Sequence, residues 1–415
     1  MNHIELQVGQ VTNKNINTPN DFISHMLEHI AWRMGCSIHL EWDNENWQEL
    51  GRALATEIRK FVPLQKKSAT LGMIDDGSAE VGVELEETTE LSLDAAAVIN
   101  LDYFLSLRCE QLASGHPLVA LLQGITQGLS ARISILVGSL NDPHHTWEGI
   151  FRGLGTALNQ LYVSPAEKVA FSTTIHEGRK RDGVRLIWSS CMGAEIERET
   201  AESKLLVSID YSAQSGASFS YQGTPIEHYD ATALEGLHSL LDRIAAECGF
   251  QLRAIFTAKA LSSSHVLLED TGMVVGRVLR EILMLRMMDQ GINGAGSSLK
   301  VPSDIRQQAI VVGMSVEGRK SCMFIPFSTD RSQLYKDFIL GHTVFGGLYS
   351  EDLDDFFDGF SWGLGCSIMI HCKKKLAPEA AWGQLFSHFG SALHEVMLPN
   401  PNRRGVPPGV KANLF

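Results

Sequence analysis

Apolar and polar positions alternate along this chain in two periods, and the switch between them recurs four times. The segment NDPHHTWEGIFRGLGTALNQLY, Asn141 to Tyr162, keeps Ile150, Leu154, Ala157, Leu158 and Leu161 on a helical period and predicts an amphipathic helix. An apolar helical run passes into a strand-like one at MGCSIHL, where Gly35 to Ile38 reads GCSI, and again at LGCSIMI, Gly365 to Ile368. TQGLSARISILV (Thr126 to Val137) and AECGFQLRAIF (Ala246 to Phe256) are weaker copies. A second helix follows each copy: NENWQELGRAL from Asn44, HHTWEGIFRGL from His144, HVLLEDTGMVV from His265 and EAAWGQLFSHF from Glu379. Their fourth positions are Trp47, Trp147, Leu268 and Trp382, a column that reads as a recurring core anchor.

Strands precede these helices. Ala79 to Asp94, Lys204 to Ser212 and Gln308 to Gly318 alternate in the manner of half-buried antiparallel strands. The expected fold is therefore α/β of the α+β type, with four repeats of an antiparallel-strand and two-helix unit. The atypical stretch Ser164 to Gly193 predicts an extra hairpin or linker between two double units, residues 1–163 and 194–415.

Composition narrows the function classes. A chain of 415 residues, 44% hydrophobic and 20% charged, is ordinary for a globular protein of more than one domain. A formal charge of −13 argues against a nucleic-acid partner, because phosphate binding needs a basic surface. No apolar run approaches the roughly 18 residues of a membrane span, and the N-terminus MNHIELQVGQ lacks a signal peptide's apolar core, so a cytoplasmic protein without membrane partners is expected. Seven cysteines without a CxxC pair read as reduced core residues.

The candidate chemistry starts at His144. Positions four apart share a helix face, so its imidazole and the Glu148 carboxylate can meet at one point. His145 is turned about 100° away and would serve a different ion more easily than the same one. Nitrogen with carboxylate oxygen suits manganese, iron or zinc better than calcium or magnesium. The competing reading is a solvated helix start after an Asn-Asp-Pro turn.

These segments, taken together, resemble the imidazoleglycerol-phosphate dehydratases, as two family units in tandem. The first unit carries SHMLEHIAWRMG (Ser24 to Gly35) and the His-His-x-x-Glu helix at His144. The second carries RETAESKLLVSI, LLDRIAAECGF, HVLLEDTGMVVGRVL, GINGAG, VEGRK and the tail VPPGVKANLF. The resemblance implies a manganese-dependent dehydration of a phosphorylated small molecule, with iron or zinc as alternatives, in a large symmetric homo-oligomer whose metals sit at a subunit interface. It assigns metal ligands at His25, His144, His145, Glu148, His265 and Glu269, catalytic carboxylates at Glu148 and Glu269, and phosphate contacts at Arg319 and Lys411. Elsewhere the motif has drifted. Asn44, Glu45 and Gln48 replace the first His-His-x-x-Glu, and Glu379, Ala380 and Gly383 replace its last copy; Ser134, Ser239, Val266 and Gly294 stand where the family has histidines and an arginine. The surviving halves suggest one composite site, His144, His145 and Glu148 with His265 and Glu269. A metal-dependent hydro-lyase, a non-catalytic ligand-binding relative and an assembly protein are the three function classes left open.

Overall fold

The computed structural model describes residues 2–86, 88–163, 170–181, 183–226, 228–260 and 263–409. Each repeat's first helix ends on a residue in the left-handed region: Gly35 (φ 87°), Ser130 (51°), Gly249 (80°) and Gly365 (81°). Such a residue turns its amide back onto the last helical carbonyls and releases the chain into a strand. That is the physical content of the GCSI recurrence.

The first repeat comprises β1 (His3–Asn17), α1 (Asp21–Met34), β2 (Cys36–Glu41) and α2 (Trp47–Ile58). β1 reverses at Gly9 and Gln10, both at positive φ. Its partners on β2 fall from Glu41 to Cys36 along His3–Val8 and rise from Ile38 to Glu41 along Lys14–Asn17, so β1 flanks β2 on both edges. The second repeat has β3 (Lys67–Ile74), β4 (Gly77–Leu85), β5 (Glu90–Ala95), α3 (Leu101–Ser106), α4 (His116–Leu129), β6 (Ala131–Val137) and α5 (Pro143–Tyr162). Ala79 to Asp94, read as one strand, is thus two: β4 runs antiparallel to β6 and β5 parallel to it.

Within Ser164 to Gly193, expected as an extra hairpin or linker, β7 (His176–Arg181) pairs with β8 (Val184–Ser190). The pair extends the sheet of the third repeat, which continues through β9 (Gly193–Glu199), β10 (Ser203–Asp210), β11 (Gly216–Gly223), α6 (Ala231–Cys248), β12 (Gln251–Ala258) and α7 (His265–Asp289). The fourth holds β13 (Ala295–Ser297), α8 (Asp304–Gln307), β14 (Ile310–Ser315), β15 (Ser321–Pro326), α9 (Arg331–Phe338), β16 (Thr343–Val344), β17 (Leu348–Tyr349), α10 (Ser350–Leu364), β18 (Ser367–Cys372) and α11 (Pro378–Met397). Strand orders β3-β4-β6-β5, β9-β10-β12-β11 and β13-β14-β18-β15 are one pattern. In each, the third strand reaches the last through a helical crossover and pairs with it in parallel.

β10 alternates buried and half-buried residues as expected, but β14 is buried at all six positions. Its second face is covered by the other half of the chain, where Val311 and Met369 join Ala69, Leu71 and Met73 of β3 in one apolar cluster. The halves also share a buried polar network. Glu80 accepts from Lys373 Nζ (2.8 Å) and pairs with His371 Nδ1 (2.9 Å), while Ser78 Oγ meets His371 Nε2 (2.9 Å). The Glu80–Lys373 pair is neutral overall, and burial keeps the His371 pKa below its ordinary value, so the imidazole adds no charge.

Trp47, Trp147, Leu268 and Trp382 are all buried, as a core column should be. The seven cysteines are free thiols, six of them buried. Among the described residues no helix is long and apolar enough to cross a membrane.

Candidate metal centre

Helices pair across repeats: α1 packs on α5, α2 on α4, α6 on α11 and α7 on α10. The α1/α5 seam carries the chemistry. Asn20 caps α1 through the Ile23 amide, and Asp142 caps α5 through the His144 amide (2.8 Å), with Pro143 in the first turn. The helices touch closely at Gly155, where a Cβ would lie 2.7 Å from the Ile30 carbonyl oxygen. Along α1, His25, His29 and Arg33 fall at steps of four; along α5, His144, Glu148 and Arg152 do the same. Two polar stripes therefore face one another between apolar flanks.

Where the stripes meet, His25 Nε2 and His29 Nε2 each lie 2.8 Å from Glu148 Oε1, and 3.2 Å from one another. Among the described residues this is the one group of three or more such side chains whose donor atoms all lie within 4.8 Å. Bonds of about 2.1 Å place neighbouring octahedral donors about 3.0 Å apart, so the separations fit one divalent ion of the manganese, iron or zinc class. His144 Nε2 stands 3.6 Å from the same carboxylate oxygen, near enough for a fourth donor. Carboxylates hold the other nitrogens: Glu28 against His25 Nδ1 (3.3 Å) and Glu110 against His144 Nδ1 (2.9 Å). This is how metal-bound imidazoles are commonly oriented. His29 Nδ1 is buried without a partner among the described residues.

The protonation pattern suits a cation. Burial raises the Glu148 carboxyl, but hydrogen bonds from His25 and His29 outweigh that and hold it well below the usual carboxylate range. Burial drives His29 down to about 3, leaving it neutral and able to ligate. Glu148 and then Glu28 raise His25 to about 9. An ion would displace that proton.

His145 points elsewhere, as its 100° offset requires. Its Nδ1 is 2.7 Å from Asp76 Oδ1 and its Nε2 3.4 Å from Asp75 Oδ2. Arg319 crosses from the second half to ion-pair with that same Asp75. Lys411 lies outside the described residues. His265 and Glu269 sit in a different helix pair, α7/α10: His265 Nδ1 bonds Ser263 Oγ (2.7 Å), and the Glu269 carbonyl backs onto Gly359. Within one chain, then, the expected composite of His144, His145 and Glu148 with His265 and Glu269 does not assemble. The helix that completes Glu148 is α1 of the same half, because the packing exchanges helices between neighbouring repeats. His238 Nε2 meets the Ala217 carbonyl (3.1 Å), a structural role.

His29 is the candidate ligand that sequence reasoning missed. Its signal was the four-residue step from His25, masked by the apolar neighbours Ile30, Ala31 and Trp32. Glu110, in the loop before α4, left no local signal.

Over 213 residues the chain is 25% identical to imidazoleglycerol-phosphate dehydratase of Lactiplantibacillus plantarum, a match covering 51% of this chain and 95% of that protein. The resemblance is to the imidazoleglycerol-phosphate dehydratases. One dehydratase accounts for about half the chain, the proportion expected of two such units in tandem. The histidine biosynthesis bifunctional protein HisB of Legionella pneumophila is 27% identical over 177 residues, 43% of this chain; the chain spans only 42% of that relative's length. The crystal structure of IGPD from Pyrococcus furiosus aligns at a TM-score of 0.33 and 23% identity, over 41% of this chain and 97% of that one. No protein-family model matches.

Proposed function

We propose that this chain is a metal-dependent hydro-lyase of the imidazoleglycerol-phosphate dehydratase kind, removing water from a small phosphorylated molecule, possession of an imidazole ring fitting a metal-binding substrate. The observation that carries the reading is the convergence of His25, His29 and Glu148 on one point, with His144 beside them. Manganese is the first choice of ion, with iron and zinc as alternatives. Such an ion supplies Lewis acidity, stabilising the negative charge that develops as a carbon-bound proton leaves.

The protein's own part is positional. Glu28 and Glu110 aim the two outer imidazoles inward, and His29 forms the closed floor. The partly exposed His25 and His144 leave the approach open to substrate. Arg319 is the second half's contribution to a phosphate clamp, released from Asp75 when substrate binds, with Lys411 as its companion.

The wider reading is a cytoplasmic protein made by internal duplication, with units at 1–163 and 194–415 joined through 164–193, assembling as a symmetric homo-oligomer. The non-catalytic alternative rests on α7/α10, where only His265 and Glu269 survive: one centre per chain gives ligand binding without turnover.

The test is metal analysis on the purified chain beside Glu148→Ala, followed by turnover of imidazoleglycerol phosphate with manganese. About one ion per chain, lost in the variant, with turnover supports the enzyme. Metal without turnover supports the binding relative. No stoichiometric metal after reconstitution overturns the enzyme and leaves a relative that binds a phosphorylated ligand or serves only in assembly.

A further inference from the structure

Below the metal centre the same seam ends in an excess of buried positive charge. Arg33, Arg152 and Arg403 are each 5% exposed or less. One carboxylate serves them: Glu317 Oε1 accepts from Arg33 Nη2 and from Arg152 Nη1 (2.7 Å). Arg403 instead donates to the Trp32 carbonyl. Glu148, one turn away on α5, also acts on Arg152 through space, so the cluster holds more guanidiniums than carboxylates, and buried charge without a partner is costly. Arg33 Nη1, Arg152 Nε and Arg403 Nη1 each lack an acceptor among the described residues.

Two of the three line a small cavity of about 20 Å³ between the halves. Arg33, Arg403, Asn159, Asn293 and Asn400 surround it, and Gln160 stands at its wall. A site needs only about 10–15 Å³ to hold one water-sized occupant. The nearest carboxylate in the lining, Glu395, is taken by Lys300 (2.6 Å), and the Asn159 amide donates to the Met34 carbonyl (2.7 Å). Burial lowers the Arg403 pKa to about 9, yet the group stays cationic at neutral pH.

We infer that this cavity is an anion-binding site, in which Arg33 and Arg403 hold a chloride ion or one oxygen of an inorganic oxyanion and so tie the two halves of the chain together. The site is separate from the metal centre, uses no residue of it, and stands whether or not the chain is an enzyme. Its occupant offsets part of the positive charge that Glu317 leaves over. Because it bridges α1 and α5 with the Asn400–Arg403 segment, occupancy stabilises the junction.

The experiment is thermal unfolding of the full chain in sodium chloride, sulfate or phosphate, each against sodium gluconate at matched ionic strength. A bound anion raises the Tm with the logarithm of its concentration. A rise with chloride alone assigns a halide; a larger rise with sulfate and phosphate that Arg403→Met reduces assigns an oxyanion, the part left in the variant being general exclusion of these salts from the surface. Arg403→Met removes one guanidinium and should abolish the response to chloride and reduce that to sulfate and phosphate. Should that variant not fold, Gln160→Glu keeps the shape and supplies the negative charge from the wall; it should raise the Tm in gluconate and blunt the response to the other salts. Equal Tm in all four salts overturns the inference, as does a Gln160→Glu protein that responds like wild type.

Discussion

The α1/α5 and α7/α10 pairs are the same construction in the two halves, with opposite contents. Superposing the GCSI segments puts His25 opposite Asp355, His29 opposite Gly359 and Arg33 opposite Gly363; superposing the second helices puts Glu148 opposite Glu269 and Arg152 opposite Met273. In α10 the two glycines let the backbones touch: a Cβ on Gly359 would lie 2.2 Å from the Glu269 carbonyl oxygen, and one on Gly363 2.1 Å from that of Met273. At those two steps backbone contact leaves no room for a side chain, although Asp355 lies close enough to His265 and Glu269 to feel their charges. In α1 the same positions carry an imidazole and a guanidinium, and the seam is filled with side-chain chemistry instead. A glycine at one step of a helix stripe thus decides between a packing interface and a site.

Removing Glu148 should break this contrast most completely. Glu148→Ala is expected to lose the bound ion altogether, whereas Glu269→Ala retains about one per chain, as metal analysis after dialysis would show. Equal loss in both would mean that the α7/α10 residues also ligate, across a subunit contact.

Stability gives the next largest effect. Glu317→Gln leaves Arg33 and Arg152 buried without their carboxylate and should cost about 3–5 kcal/mol in urea unfolding. The second half has Gly363 and Met273 in those places and needs no such partner.

Gly359→Ala should cost about 1–3 kcal/mol, since the new methyl group meets a backbone carbonyl that cannot swing aside. Its counterpart His29→Leu removes an unpaired buried nitrogen but also a hydrogen bond to the buried Glu148, and should cost about 1–3 kcal/mol while weakening the metal site. A larger loss for His29→Leu would make the imidazole a structural residue first.

The last effect is one of pH. Burial, then the charges of Asp358 and Asp355, raise the Asp354 carboxyl to about 7 from an ordinary 3.8. The folded state therefore holds a proton that the unfolded chain releases, so this group's contribution is present at low pH and is lost as pH rises through about 7. Asp354→Asn should flatten the fall in Tm between acidic and mildly alkaline buffer; an unchanged slope would place the titration elsewhere.

Much of this was legible in the sequence because it is local. Helix ends at Gly35 and Gly365, the Trp column, the β10 alternation and the His144–Glu148 step follow from backbone conformation and helix period. What failed was relational. Sequence matching joined His144 with His265, because both open similar helices, whereas packing joined His144 with His25 and His29. The strand Gln308 to Gly318 looked half-buried since its second cover, β3, comes from more than two hundred residues upstream.

By itself, then, the sequence determined the repeating unit, its strand and helix periods and the residue types able to bind a metal. These depend on neighbours within a few positions. Only the tertiary structure decided which helices meet, that Glu148 faces two imidazoles of α1, and that Arg33, Arg152 and Arg403 converge between the halves. Those outcomes depend on how apolar faces of distant segments are buried against one another, and the energy of that burial is proportional to area and indifferent to order along the chain.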